Sequence, residues 1–345
     1  EDGIHFILTE TRLEEPLLNY RFYFVTEEGT VLLEETAVAM EAEHFVYYDF
    51  LRLEGETRLL RYENDNNVVT YTIRSLDCPT AGCPEVQANG FVLVSPDGNY
   101  FIETIPDNED AIRYSFEQVY ETNLLLSAGT VRQPLGKTLF IFWLDNDRYG
   151  SVEAAEADWV FSTATVSNPE RQPLFYQSDL LAELDTAVNL MIRNVIVRPH
   201  SQEIIVEAWP ASTPEEPSPE WQLFLFRLLL SDDLTSVEQV ELLPGGEYTG
   251  VTGTSPDGRY LTLADATPLS SSLGTTYRLF DLTSGQVSDP ILSNGWYGLN
   301  WSADGQWFLQ STENYLLLHA PAYDYQHFIP FSLGQCDQVV FTTEK

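Results

Sequence analysis

Short apolar or alternating runs, each about four to eight residues long, recur along this chain and stop at Gly, Pro, Asn, Asp or Ser. That period of two belongs to strands with one or both faces buried. Ile4–Thr9, Tyr20–Val25 and Val31–Glu35 open the series. Thr57–Tyr62, Thr138–Leu144, Glu203–Trp209 and Tyr260–Ala264 continue it. No stretch carries a helical period with a cap at both ends, so the pattern predicts an all-β chain.

The punctuation between strands repeats. Val94-Ser95-Pro96-Asp97-Gly98-Asn99-Tyr100-Phe101, Thr254-Ser255-Pro256-Asp257-Gly258-Arg259-Tyr260-Leu261 and Trp301-Ser302-Ala303-Asp304-Gly305-Gln306-Trp307-Phe308 are one motif written three times. Its chemistry is that of a tight reversal: Pro presets φ, Asp bonds to the amides that follow, and Gly takes a positive φ. Weaker copies fall at Asp2-Gly3, Glu54-Gly55, Asp145-Asn146-Asp147 and Arg198-Pro199-His200-Ser201. The turns near 3, 55, 98, 146, 200, 258 and 305 stand about 43 to 58 residues apart, close to the length of a four-stranded propeller blade. The expected fold is a single closed β-propeller domain over residues 1–345, with about seven four-stranded blades. In it the C-terminal strand Asp337–Thr343 completes the first blade, because Asp2-Gly3 has no strand before it and an unclosed ring leaves open edges.

The Ser-Pro-Asp-Gly turns resemble the WD-like repeats of TolB-type bacterial propellers and of the propeller domains joined to prolyl-oligopeptidase-type enzymes. The resemblance is strong at three turns and weak elsewhere. It implies a propeller and an extracytoplasmic setting, and it implies no activity. A hydrolase domain like that of the peptidases is missing from the sequence.

Charge narrows the partners. Lys and Arg number 17 against 53 Asp and Glu, a formal charge of −36 that repels nucleic acid and anionic membrane surfaces. A protein, a peptide or a small neutral or cationic ligand is the expected partner, and a monomer the expected state. No apolar run reaches the ~18 residues of a membrane span, and residue 1 is Glu, which reads as a mature or trimmed chain. Cys78 and Cys83 bracket a Pro- and Gly-containing turn that suits a short disulfide, and a disulfide implies an oxidising compartment. Cys336 is left over as a small apolar residue.

Catalytic patterns are sparse. No Gly-x-Ser-x-Gly elbow occurs, and the five histidines, His5, His44, His200, His319 and His327, show no paired metal spacing and read as structural. Trp296 and Tyr297, flanked by glycines, are candidates to face a central channel. Acidic inserts at Glu63–Asn67, Asp107–Asp110 and Thr213–Glu220 all fall between the second and third strands of a blade. One segment has calcium-loop spacing: Asp145, Asp147, Ser151, Glu153 and Glu156 stand at positions 1, 3, 7, 9 and 12, with Gly150 at 6. Tyr149 breaks the pattern at position 5, and a solvated acidic insertion is the competing reading. Two functions stay open. One is a non-enzymatic binding or scaffold propeller; the other is a hydrolase or lyase whose site is assembled at the channel mouth from several blades.

Overall fold

The computed structural model describes residues 2–26, 28–40, 43–53, 56–65, 68–79, 85–107, 119–126, 131–155, 158–184, 190–198, 201–210, 223–244, 248–265, 275–293, 299–302, 304–311, 315–323, 325–330 and 336–343. These form seven antiparallel sheets; in six of them the strands come from one continuous stretch of chain, and in the first one strand comes from its far end. Blade I holds β1 (Asp2–Glu14), β2 (Leu17–Thr26) and β3 (Gly29–Ala39); blade II holds β4 (His44–Leu53), β5 (Glu56–Asp65), β6 (Val68–Ser75) and β7 (Val86–Ala88). Blade III runs through β8 (Phe91–Val94), β9 (Phe101–Pro106), β10 (Tyr120–Leu126) and β11 (Val131–Thr138). Blade IV runs through β12 (Phe140–Trp143), β13 (Arg148–Ala155), β14 (Asp158–Thr165) and β15 (Gln172–Tyr176). After the short helix α1 (Gln177–Leu181), blade V comprises β16 (Leu190–Val197), β17 (Glu203–Pro210), β18 (Phe224–Leu230) and β19 (Val237–Leu243).

Blade VI comprises β20 (Tyr248–Thr254), β21 (Tyr260–Asp265) and β22 (Thr275–Asp281), with an outer strand split into β23 (Gln286–Val287) and β24 (Ile291–Ser293), both paired to β22. Blade VII comprises β25 (Asn300–Trp301), β26 (Phe308–Ser311), β27 (Tyr315–Ala320) and β28 (Tyr325–Pro330). Finally β29 (Cys336–Thr343) joins blade I, pairing antiparallel with β1 from Asp2↔Thr343 to Leu8↔Cys336.

Two compact units divide the chain: residues 1–105, 122–134 and 300–345 in one, and 106–121 with 135–299 in the other. In the first, Ile7, Phe22 and Phe24 of blade I pack on Val46, Tyr48 and Phe50 of blade II. In the second, Phe161 stacks on Phe175 with centroids 4.1 Å apart inside a cluster that reaches Ile204, Val206 and Phe226 of blade V.

The three strong turns are superimposable in their bonding. Ser95, Ser255 and Ser302 each donate from Oγ to the Asp two residues on, at 2.7, 2.5 and 2.6 Å, and accept from the amide five residues on at 2.9, 2.9 and 3.0 Å. Gly98, Gly258 and Gly305 take φ of 77°, 70° and 69°. The same bonding recurs at Ser231–Ser236, between the third and fourth strands of blade V. There Leu234 holds the glycine position at φ 56°, a left-handed conformation that costs an L-residue about 1 kcal/mol, while its side chain packs on the blade IV–V cluster.

Two expectations need correction. Asp2-Gly3 is not a turn: both residues lie inside β1, because the strand beside it comes from the far end of the chain and needs no reversal there. A helical turn does occur, α1, closed by the Asp179 carboxylate accepting from the Tyr176 amide at 2.8 Å; at five residues it is too short to show a period.

Candidate functional site

In the second unit, an open cavity of about 270 Å³ is lined by Arg193, Asn194, Glu207, Gly250, Val251, Thr252 and Ala264. Its walls are the first strands of two neighbouring blades, β16 and β20, with β17 and β21 behind them. On a regular strand successive side chains alternate between faces, so two or three consecutive residues do not share one cavity. Bulges make it possible here. On β16, Ile192 pairs with Ala208 and Asn194 with Glu207, which leaves Arg193 as the extra residue. On β20 the register slips twice, between Tyr248 and Gly250 and between Val251 and Gly253.

Glu207 sits at the centre and is 1% exposed, in a strand otherwise buried among apolar groups. Its Oε2 accepts from the Val251 amide at 3.1 Å, across the blade boundary. Among the described residues its Oε1 accepts no hydrogen bond; the Nε of Arg193 pairs with it at 3.4 Å. The Arg193 guanidinium is turned onto the Trp209 ring, 4.0 Å from its centroid, so the cation is shared between a ring face and the carboxylate. Burial pushes the Glu207 carboxyl up to about 7, against the lowering pull of the Val251 amide and Arg193. Gly250 is needed for this approach, since a Cβ there would stand 2.9 Å from Oε1.

A second buried carboxylate shows the contrast. Glu103 on β9 is wholly buried, yet it accepts from the Asn89 amide at 2.5 Å and from Arg132 Nε at 2.9 Å, with Arg132 Nη2 at 3.4 Å from its other oxygen. Both its oxygens are engaged, as a structural acid requires. The charged cluster of blades I and II is likewise satisfied: Arg61 donates to Glu34 at 2.6 and 2.9 Å and to Glu63 at 2.8 Å, His44 meets Glu63 at 2.9 Å, and Tyr48 donates to Glu34 at 3.1 Å. Burial, then the Glu34 charge, pushes the Tyr48 phenol up to about 12.

The residues singled out from the sequence fall as follows. Asp145 and Asp147 meet in the β12–β13 turn, where Asp145 Oδ1 accepts from the amides of Asp147 at 3.0 Å and Arg148 at 2.7 Å. Hydrogen bonding to Asp145 raises the Asp147 carboxyl. Residues 148–155 are strand β13, not loop, so Ser151 and Glu153 lie along the sheet: the buried Ser151 donates to Glu153 at 2.8 Å, and Glu153 pairs with Arg171 at 2.9 Å. Glu156 lies outside the described residues, and among the described residues no three His, Cys, Asp or Glu side chains gather as a metal set.

Cys78 is disulfide-bonded; Cys83 lies outside the described residues. His319 stacks flat on Phe308, centroids 4.5 Å apart, and bonds Gln310 at 2.7 Å, with burial lowering its pKa; His5 packs edge-on to Phe24. His200, Trp296, Tyr297 and the insert 213–220 lie outside the described residues. The connections at 66–67, 108–118 and 211–222 do join second to third strands, as expected. No described helix is long and apolar enough to cross a membrane. Glu207 itself was not singled out from the sequence; its one signal is a lone carboxylate inside the run Ile204–Trp209.

No family model matches the chain, and no curated protein resembles it in sequence. Solved structures do. Prolyl endopeptidases align with 96% of this chain over 50% of theirs, at 10% identity and a TM-score of 0.51. The tricorn protease aligns with 99% of it over 36% of its own length, at 9% identity and a TM-score of 0.51. TolB from Acinetobacter baumannii covers 98% of this chain and 82% of its own, at 10% identity and a TM-score of 0.44. The chain thus spans half or less of the two proteases. At such identities the likeness is one of fold: an all-β propeller of seven four-stranded blades.

Proposed function

We propose that this chain is a non-enzymatic, extracytoplasmic binding propeller, closed into one ring by its C-terminal strand, that takes a small ligand at the Glu207 cavity. One observation carries the reading: Glu207, which lines an open cavity, is buried and has a carboxylate oxygen that accepts no hydrogen bond among the described residues. Leaving such an acceptor unmade costs about 1–3 kcal/mol or more for a charged group, a cost that a ligand donor relieves. The paired bulges in β16 and β20 support it, because bulges re-aim side chains and concentrate beside binding sites. The disulfide at Cys78 and the charge of −36 support an extracytoplasmic setting.

Calorimetric titration of neutral and cationic small molecules against the parent and Glu207→Gln tests the reading; saturable binding that the variant loses is the expected result. A second reading rests on the position of the Glu207 carboxyl near 7, where a general acid or base works best. Under it the chain is a hydrolase or lyase. Turnover of a glycan, peptide or lactone that Glu207→Gln abolishes would establish it and remove the non-enzymatic reading.

A further inference from the structure

We propose that the Glu207 cavity recognises a primary ammonium group, on a small amine or a single basic side chain, with Glu207 Oε1 as its principal acceptor; this rests on the binding reading above.

Geometry selects the donor. Of the two carboxylate oxygens, Oε2 accepts from the Val251 amide, and Oε1 accepts no hydrogen bond among the described residues. A guanidinium fork bonds best to two oxygens side by side, whereas an ammonium is a point donor that needs one strong acceptor and weaker ones around it. The weaker ones line the same cavity. Asn194 Oδ1 accepts from the Val195 amide at 2.9 Å and retains a second lone pair, and Thr252 Oγ1, donating to Thr262 O at 3.3 Å, has lone pairs with which to accept.

Charge selects the sign. Arg193, the one other charged residue of the seven that line the cavity, is drawn onto Trp209, and its Nε stands 3.4 Å from Glu207 Oε1. It leaves the carboxylate undercompensated, since burial still carries the carboxyl up to about 7. A bound cation offsets that burial, while an anion meets Glu207 at close range. The whole chain, at −36, concentrates cations near its surface. Calcium takes six to eight oxygens and zinc three or four His, Cys or carboxylate ligands, and no three His, Cys, Asp or Glu groups gather here among the described residues. Size limits the ligand: about 270 Å³ falls below the range of drug-sized pockets and fits one ammonium head with a short alkyl chain.

The probe is n-butylammonium chloride, titrated calorimetrically at pH 8.5 and fixed ionic strength, with tetramethylammonium as a cation that donates no hydrogen bond. The expected result is saturable binding of butylammonium alone, about ten- to a hundredfold weaker in Glu207→Gln. Gly250→Ala, which pushes a methyl against Oε1, weakens it similarly should the Gln variant fail to fold, and Glu241→Gln, remote from the cavity, leaves it unchanged. Binding also weakens as pH falls through 7, when Glu207 takes up a proton. Equal affinity in parent and variants, or equal binding of tetramethylammonium, assigns the effect to the acidic surface and overturns the proposal. Saturable binding of acetate or acetamide that Gly250→Ala abolishes, without butylammonium binding, overturns the ammonium assignment and leaves the binding reading standing. Failure of every probe removes both.

Discussion

The Val251 amide donates to Oε2 of Glu207 at 3.1 Å, so the first strand of blade VI holds the carboxylate of blade V by one of its oxygens. The other oxygen accepts no hydrogen bond among the described residues, and burial of the carboxyl sets a pH dependence of stability. The folded carboxyl titrates near 7, above its ordinary 4.5, so the native state binds the proton more tightly than the unfolded chain. Glu207 therefore favours folding fully below about 4.5, and that contribution is lost as pH rises through 7. The difference amounts to about 3 kcal/mol at most.

Glu207→Gln, a neutral near-isostere, should match the parent at pH 4 and exceed it by about 1–3 kcal/mol at pH 8.5. Chemical denaturation of both proteins at both pH values measures this. A variant less stable than the parent at pH 8.5 would show that Glu207 is a structural acid and not a site held at the expense of stability.

The serine of each strong turn is both donor and acceptor within one reversal. Ser255 is wholly buried, gives its proton to Asp257 at 2.5 Å and takes one from the Tyr260 amide at 2.9 Å. Ser255→Ala leaves that amide without its side-chain acceptor and should cost about 1–3 kcal/mol. Gly258→Ala, at φ 70°, should cost about 1 kcal/mol or more from backbone strain alone. Urea midpoints with unchanged slopes would report both effects. No change in either would mean that the repeated turn is a by-product of the strands and not a constraint on them.

Two glycines on first strands or beside them separate close approach from mere flexibility. At Gly90 a Cβ would press into the backbone carbonyl of Thr104, which cannot move without breaking the sheet, whereas at Gly253 nothing lies within 4 Å. Gly90→Ala should destabilise by about 1–3 kcal/mol and Gly253→Ala by less than about 0.5 kcal/mol. Melting curves on the pair check it, and equal effects would refute the steric account.

The architecture was legible because Ser-Pro-Asp-Gly is a local device: the bonds of Ser95, Asp97 and Gly98 lie within six residues, so the sequence carries them whole. The cavity was not, because its parts meet only through bulges and a blade boundary. Arg193 and Asn194 share a wall through a register slip that no alternation pattern contains, and Val251 meets Glu207 across 44 residues of chain. The calcium spacing at Asp145–Glu156 failed to form a loop for a related reason. The run Arg148–Ala155 pairs with β14 along its full length, from Arg148↔Thr165 to Ala155↔Asp158, and ladder bonding there outweighs the loop. Asp2-Gly3 had the residues of a turn, but only the pairing of distant ends decides whether a reversal is needed.

That pairing gives the last prediction. β1 takes β29 as its neighbour from Asp2↔Thr343 to Leu8↔Cys336, and β29 also touches β25 and β26 of blade VII within the same unit. Removing residues 336–345 strips the first strand from blade I and frees the edge of β1, whose amides and carbonyls then lose their ladder partners. At about 1 kcal/mol net for each lost bond, several such bonds approach the 5–15 kcal/mol that holds a typical domain together. The truncated chain should therefore melt far lower and expose its edge to association, and a synthetic peptide of residues 336–345 added in trans should restore part of the loss. Guanidinium unfolding followed by far-ultraviolet dichroism measures the stability, and sedimentation measures the association. A truncated chain as stable as the parent would reject the proposed closure by this strand, because losing the β29–β1 ladder would then carry no cost.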